Sequence, residues 1–299
     1  MNHLYFRVAE AVFDVDYREA DDVRQLMPSY APFHIPETEQ ASLFTMLVAD
    51  DLVPFSPIGK EVGQFDCGGI NHGIYTRTDV EGYLILIGNT EGGAACALLT
   101  DKYFTKCEAS LYGDTANRSF GLNNALMIAF AFAGAYHHII LMHSSVTMYK
   151  GGGHLFLGKS GTGKSTHSKG WRKYIEGTEL LNDDNPALRY LPETDEVKVY
   201  GTPWSGKTPC YKNQSVPVRA VVRLEQYPEN IIRRESTLPS FASVLSSTST
   251  MIWDKASYKK ICETISNIVR HVPTFYLKCL PDEAAVRMSS EAIDAYYKK

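Results

Sequence analysis

The 299-residue sequence contains no C-x-x-C pair, and its six cysteines (Cys67, Cys96, Cys107, Cys210, Cys262 and Cys279) are scattered singly. That excludes a close-spaced thiolate metal site and a disulfide framework, and it reads as reduced, structural thiols. No apolar run is longer than Ala125–Tyr136, too short to span a bilayer and better suited to a buried helix. Met1–Arg7 lacks the basic, apolar and small-residue succession of a secretory signal, so a cytoplasmic protein is expected, with no membrane partner. Positive charge is scarce as well. Thirty Lys and Arg against 34 Asp and Glu leave a net charge of −4 and no basic stripe, which argues against a nucleic-acid partner. There is no internal repeat and no low-complexity segment. A hydrophobic fraction of 44% with 21% charged residues is that of a globular chain with ample core, in one large domain or two smaller ones.

The feature around which the chain is organised is Gly158-Lys159-Ser160-Gly161-Thr162-Gly163-Lys164-Ser165-Thr166. It fits the phosphate-binding pattern G-x-x-x-x-G-K-[ST] at every fixed position. Glycines are needed because only residues without a Cβ let successive N–H groups turn inward around a phosphate. In this pattern Gly158, Ser160, Gly161, Thr162, Gly163, Lys164, Ser165 and Thr166 form the nucleotide cradle. Lys164 reaches the β- and γ-phosphates, and the Ser165 hydroxyl joins a Mg²⁺ coordination sphere. The flanks agree: His154–Leu157 reads as an apolar strand, and Ser165–Glu176 as a helix stopped by Gly177. A helix beginning at the loop adds its partial positive charge to the anion site. The competing reading is a glycine-rich turn with a chance lysine.

The texture of the chain divides in two. Leu4–Val15 alternates as an opening strand, Asp21–Leu26 suits a short helix, and Pro28, Pro32 and Pro36 then favour irregular structure. Ala41–Val53 reads as a strand, Gly68-Gly69 as a separator, and Ile70–Arg77 with Tyr83–Ile87 as a hairpin turning at Val80-Glu81-Gly82. Leu98–Ala109 continues the β character. Residues 1–115 thus form a β-rich region without a catalytic constellation; His34 and His72 there read as solvated or capping residues. Residues 116–299 alternate helices and strands around the loop. Asn117–His137 is a long apolar helix, and Ile139–Met148 one strand turned back at Tyr149–Gly153. Glu179–Asp184 is a strand ending in carboxylates. Ala187–Tyr190 and Val197–Tyr200 form a hairpin, Val216–Leu224 a strand, Ser240–Thr250 and Asp254–Arg270 helices. Thr274–Cys279 is a strand and Pro281–Tyr297 a closing helix.

Nucleotide binding alone is not chemistry; phosphoryl transfer also needs a metal-ordering carboxylate and usually a base. Asp183-Asp184 lies where these belong, at the end of a strand beyond the loop helix. Neighbouring side chains of a strand face opposite ways, so one carboxylate can address Mg²⁺ and the other a hydroxyl or water. An exposed turn with Asn182, Asn185 and Pro186 is the plainer alternative. A second glycine-containing loop, Tyr200–Thr208, carries Lys207, which could reach the γ-phosphate, and Trp204, which could lie against a substrate; a proline-glycine turn is its bland equivalent. Arg219 and Arg223, four apart on a strand, are expected to share one face; they could grip a phosphate or an acidic substrate, with surface salt bridges the plainer use.

His143 before the loop, Gly158–Thr166 and Asp183-Asp184 together resemble the C-terminal domain of the HPr kinase/phosphorylase family. More distantly they resemble ATP-dependent phosphoenolpyruvate carboxykinase, whose loop Gly161–Thr166 is similar to. The resemblance covers residues 139–225 well and the rest of the C-terminal half loosely. It implies a mixed-sheet α/β phosphate-loop domain using ATP and Mg²⁺. By the same resemblance His143 assists at the phosphates, Asp183 is the catalytic base and Asp184 helps hold the metal. The Arg-Gly signature that the kinase family carries after the aspartates is absent here, so the resemblance does not carry phosphorolysis or HPr as a substrate over to this chain, and both stay open. The expectation is a kinase acting on a hydroxyl of a small molecule or a protein serine, with homo-oligomerisation left open. A carboxykinase-like lyase and a non-catalytic nucleotide sensor are the alternatives.

Overall fold

The alternation that opens the chain folds back on itself. In the computed structural model, which describes residues 2–18, 23–50, 52–66, 71–206 and 208–298, β1 (Asn2–Val8) and β2 (Ala11–Tyr17) pair antiparallel, with Val8 opposite Ala11. One strand was expected over this stretch. The turn is made by Ala9 and Glu10, both left-handed at φ 49 and 64. That is the backbone a tight hairpin requires, but neither residue is the Gly or Asn that announces it. A 3₁₀ turn covers Val23–Leu26, while residues 19–22, where the expected helix began, lie outside the described residues. Pro28 does not break structure here; it opens a second 3₁₀ helix, Pro28–Phe33, at a position that needs no N–H.

Seven further strands follow: β3 (His34–Ile35), β4 (Ser42–Val48), β5 (Glu61–Asp66), β6 (Asn71–Thr76), β7 (Gly82–Gly88), β8 (Ala94–Asp101) and β9 (Lys106–Leu111). Cys67 and Gly68-Gly69 lie outside the described residues. The sheet order is β3-β1-β2-β4-β9-β8-β7-β6-β5. It is antiparallel except that β4 runs parallel to both β2 and β9. Leu84, Ile85, Leu86 and Ile87 of β7 are all buried, so both faces of the sheet are covered there. The long helix α1 (Thr115–Gly134) packs on β8 and β4. Asp114 caps it by accepting from the Asn117 N–H at 2.9 Å. Gly121 lets it approach closely, since a Cβ there would meet the Ala95 carbonyl oxygen at 2.5 Å. By contacts this first unit holds residues 1–137 with 252–255, so α1 belongs with the β-rich sheet, and the division falls after it, not at residue 115.

The second unit, residues 138–251 with 256–299, is built on another nine-stranded mixed sheet. In chain order it contains β10 (Ile139–Leu141), β11 (Ser144–Tyr149), β12 (Gly152–Leu157), α2 (Lys164–Tyr174), β13 (Glu179–Asn182), β14 (Ala187–Leu191), β15 (Glu196–Tyr200) and β16 (Ser215–Gln226). It closes with β17 (Ile231–Arg234), α3 (Thr237–Leu245), α4 (Lys255–His271), β18 (Thr274–Cys279) and α5 (Glu283–Tyr297). The order is β10-β14-β15-β16-β12-β11-β13, with β18 parallel to β16 and β17 antiparallel to β18. Phe156, Trp171, Val222, Leu224, Phe275, Leu277, Val286 and Ile293 form a buried core between this sheet, α2 and α5. At roughly 25 cal/mol per Å² of apolar surface removed from water, such a core is the main force holding the loop helix in place.

The apolar run Ile139–Met148 is not one strand. It divides at Met142-His143, with β10 pairing β14 and β11 pairing β12 and β13. The division is imposed by distant partners: Met142 N–H donates to the Pro186 carbonyl (3.2 Å), His143 N–H to Ser247 (2.7 Å) and Ser144 N–H to Asp184 (2.9 Å). The two arginines also differ from expectation. A bulge between β12 and β16 pairs Gly153 with Val218 but His154 with Ala220, leaving Arg219 out of the alternation. Arg219 stacks on the Tyr297 ring of α5 at 3.7 Å, whereas Arg223 reaches the Ser243 hydroxyl of α3 at 3.4 Å. They therefore serve two different helices, through aromatic and hydroxyl contacts, and neither makes a salt bridge among the described residues.

Candidate functional site

β12 is buried from end to end and delivers the chain into the glycine-rich loop, from which α2 leaves. Gly158, Gly161 and Gly163 all take positive φ (153, 80 and 105), conformations that side chains oppose. A Cβ at Gly158 would lie 3.1 Å from Thr162 and 3.2 Å from the Leu224 carbonyl oxygen, so the turn is closed as well as left-handed. Thr162 folds the loop inward, donating from its N–H (3.1 Å) and its hydroxyl (2.7 Å) to the Lys159 carbonyl. Gln226, at the end of β16, donates to the Gly161 carbonyl at 3.2 Å and ties the loop to the sheet. Gly163 caps α2 and offers no side chain to its first amides. Ser160 and Thr166 are exposed, and Ser165 is half-buried.

Lys164, the first residue of α2, is buried at 8% exposure and donates from Nζ to the Gly158 carbonyl at 3.0 Å. Burial pushes its ammonium below the ordinary lysine range, while Asp184 and then Asp183 pull it back up. Both carboxylates thus act on this charge from the end of β13. His143, at the break between β10 and β11, is exposed, and its Nε2 stands 3.5 Å from Asp184 Oδ1. Desolvation and the Lys164 charge lower the His143 pKa, with Asp184 opposing them. Asp184 is raised by desolvation and by Asp183, against His143 and Lys164. So Lys164, His143, Asp183 and Asp184 are brought together at the mouth of the loop. The histidine arrives at a strand break, not on the strand that was expected to carry it.

The Tyr200–Thr208 segment is laced to the aspartates by hydrogen bonds. Thr202, fully buried, accepts from Asn182 Nδ2 (3.0 Å) and the Trp204 N–H (3.2 Å) and donates to the Asn185 carbonyl (2.7 Å). Asn185 N–H donates to the Trp204 carbonyl at 3.0 Å. The Asp183 N–H donates to Ser205 Oγ (3.2 Å), and the Thr208 hydroxyl donates to Asp183 Oδ2 (2.6 Å). Trp204 is 3% exposed, so it belongs to the core and not to a substrate surface. Lys207 lies outside the described residues.

No family model matches the chain, and no curated protein matches it. Among solved structures, the Hpr(Ser) kinase/phosphatase from Coxiella burnetii is similar to 53% of this chain and 94% of its own, at 14% identity and a TM-score of 0.30. That is a distant likeness.

Ser205, Thr208, Thr202 and Gln226 were not singled out from the sequence as functional. Their partners stand 20 or more residues away, apart from the Thr202–Asn185, Thr202–Trp204 and Ser205–Thr208 bonds, and no local pattern marks the distant pairs. Among the described residues no group of three or more His, Cys, Asp or Glu is placed to hold a metal ion. No helix of the described residues is long and apolar enough to cross a membrane.

Proposed function

We propose that this chain is an ATP- and Mg²⁺-dependent phosphotransferase that moves the γ-phosphoryl group to a hydroxyl of a small molecule or a protein serine. One observation carries the reading: a buried lysine at the start of the loop helix lies within the field of two adjacent carboxylates, with an imidazole 3.5 Å from one of them. In this reading the loop amides and the Lys164 ammonium stabilise the charge that spreads over the transferring group, the principal catalytic effect in such reactions. Asp183 accepts the proton of the attacking hydroxyl while the new O–P bond forms and the bond to the ADP oxygen breaks. His143 contacts the phosphates beside Asp184. Lys207 joins the proposal by its place in sequence only.

The donor set suits a Mg²⁺ that arrives with the nucleotide. Ser165 offers a hydroxyl and Asp184 a carboxylate, and such an ion takes its remaining ligands from phosphate oxygens and water. Bound there, it would neutralise charge on the β- and γ-phosphates.

Incubation with γ-labelled ATP and Mg²⁺ against a pool of metabolites and proteins tests the reading, with Lys164→Ala as the blank. Label should move in the intact protein alone. Tight ATP binding without turnover, unchanged by Asp183→Asn, would identify a sensor instead. Turnover that depends on oxaloacetate would identify a lyase.

A further inference from the structure

Asp183 is gripped on one carboxylate oxygen and left open on the other. Oδ2 accepts a 2.6 Å hydrogen bond from Thr208, while Oδ1 is buried with no hydrogen-bond partner among the described residues. A buried carboxylate oxygen without a partner is costly, and it persists where function requires it. Thr208 is itself fixed. The Asp183 N–H donates to Ser205 Oγ (3.2 Å), and that hydroxyl donates to the Thr208 carbonyl (3.1 Å). The Thr208 hydroxyl then returns to Asp183 Oδ2, so backbone and side chain of the aspartate are clamped by one closed circuit of three residues. Thr208 also lines an open groove of about 380 Å³ beside β13, with Arg172, Glu179, Cys210 and Lys212.

We propose that Thr208 is the positioning residue for the reacting carboxylate: by holding Oδ2 it turns Oδ1 toward the acceptor hydroxyl and leaves that oxygen free to take the proton. The proposal rests on Asp183 being the base. It assigns to Thr208 no contact with the nucleotide, and so separates two kinetic constants. Loss of a hydrogen bond to a charged group should lower kcat by about 10- to 100-fold while KM for ATP stays put.

The test is Mg-ATP turnover with water as acceptor, and with any pool component that takes label, in wild type, Thr208→Val, Thr208→Ser and Asp183→Asn. Thr208→Val should lose kcat at unchanged KM for ATP, and Thr208→Ser, which keeps the hydroxyl, should recover most of it. If Thr208→Val does not fold, Thr208→Ala takes its place in the same comparison. Equal kcat in Thr208→Val and wild type, or equal loss in the Ser and Val variants, overturns the positioning role. If Asp183→Asn retains full turnover, it is the kinase reading that falls. A wild-type chain that transfers the γ-phosphoryl group to none of the acceptors, water included, overturns both.

Discussion

Gly206 has no room for a side chain. A Cβ there would stand 2.9 Å from the Cβ of Asp184, and its φ of 53 is left-handed. Gly206→Ala should cost roughly 1–2 kcal/mol in stability from the backbone conformation, and the displaced Asp184 should lower label transfer as well. Denaturant titration and the transfer assay on the same preparation check both. Lys164→Ala should reduce transfer by at least about 100-fold, the scale on which single charge-stabilising donors act, with the fold kept by circular dichroism. Asp183→Asn should fall by about 100-fold or more at unchanged ATP affinity measured by calorimetry, as loss of a general base does. The loop and Lys164 were legible in the sequence because their pattern is local, nine consecutive residues and a strand on one side, and Asp183 was singled out by its place at the end of the next strand. Thr208 was not, because its meaning comes from a carboxylate 25 positions earlier that only the folded segment brings within 2.6 Å.

At the scale of elements, loop and aspartates depend on how neighbouring segments are tied together. Thr202 is the knot. Its hydroxyl serves Asn182, Trp204 and Asn185 at once, in a fully buried setting. Thr202→Val keeps the shape but leaves these groups unsatisfied, so the protein should lose about 2–3 kcal/mol, read from the denaturant midpoint. The same property explains where sequence patterns misjudge elements here. Ile139–Met148 is apolar throughout, and periodicity has nothing to mark the break at Met142-His143. Hydrogen bonds to Pro186, Ser247 and Asp184 decide it. β17 (Ile231–Arg234), four residues of mixed polarity, is a strand only because β18 lies beside it. By contrast β12 and α5 carry their own signals, an apolar run into glycines and an Asp282 side chain accepting from the Ala285 N–H at 2.8 Å, whereas α2 ends at Tyr174 with an extended Ile175 as its cap, before the expected stop at Gly177.

For the molecule as a whole, the sheet that carries the loop is braced from behind by two neutral histidines, and this ties its stability to pH. His154 on β12 is 3% exposed and lies against Trp171 with ring centroids 4.8 Å apart; His167 on α2 is 6% exposed, its Nε2 3.1 Å from Ser289 Oγ. Burial pushes both down to about 4 from the usual 6.5. For His154 the Arg219 charge adds to the shift, while backbone bonds with Thr147 and Gly152 and the Asp294 charge oppose it. The sign follows from proton counts. Below pH 6.5 the unfolded chain protonates these rings and the folded one does not, so stability is intact above 6.5 and declines as pH falls toward 4. Each histidine contributes at most about 3 kcal/mol to that decline, and below pH 4 its share levels off. Denaturant midpoints measured from pH 7.5 to 4 should therefore fall steadily, and His154→Phe should remove a large part of the slope without flattening it, since His167 still titrates. A midpoint independent of pH across that window would mean that the two rings are not held neutral behind the loop helix.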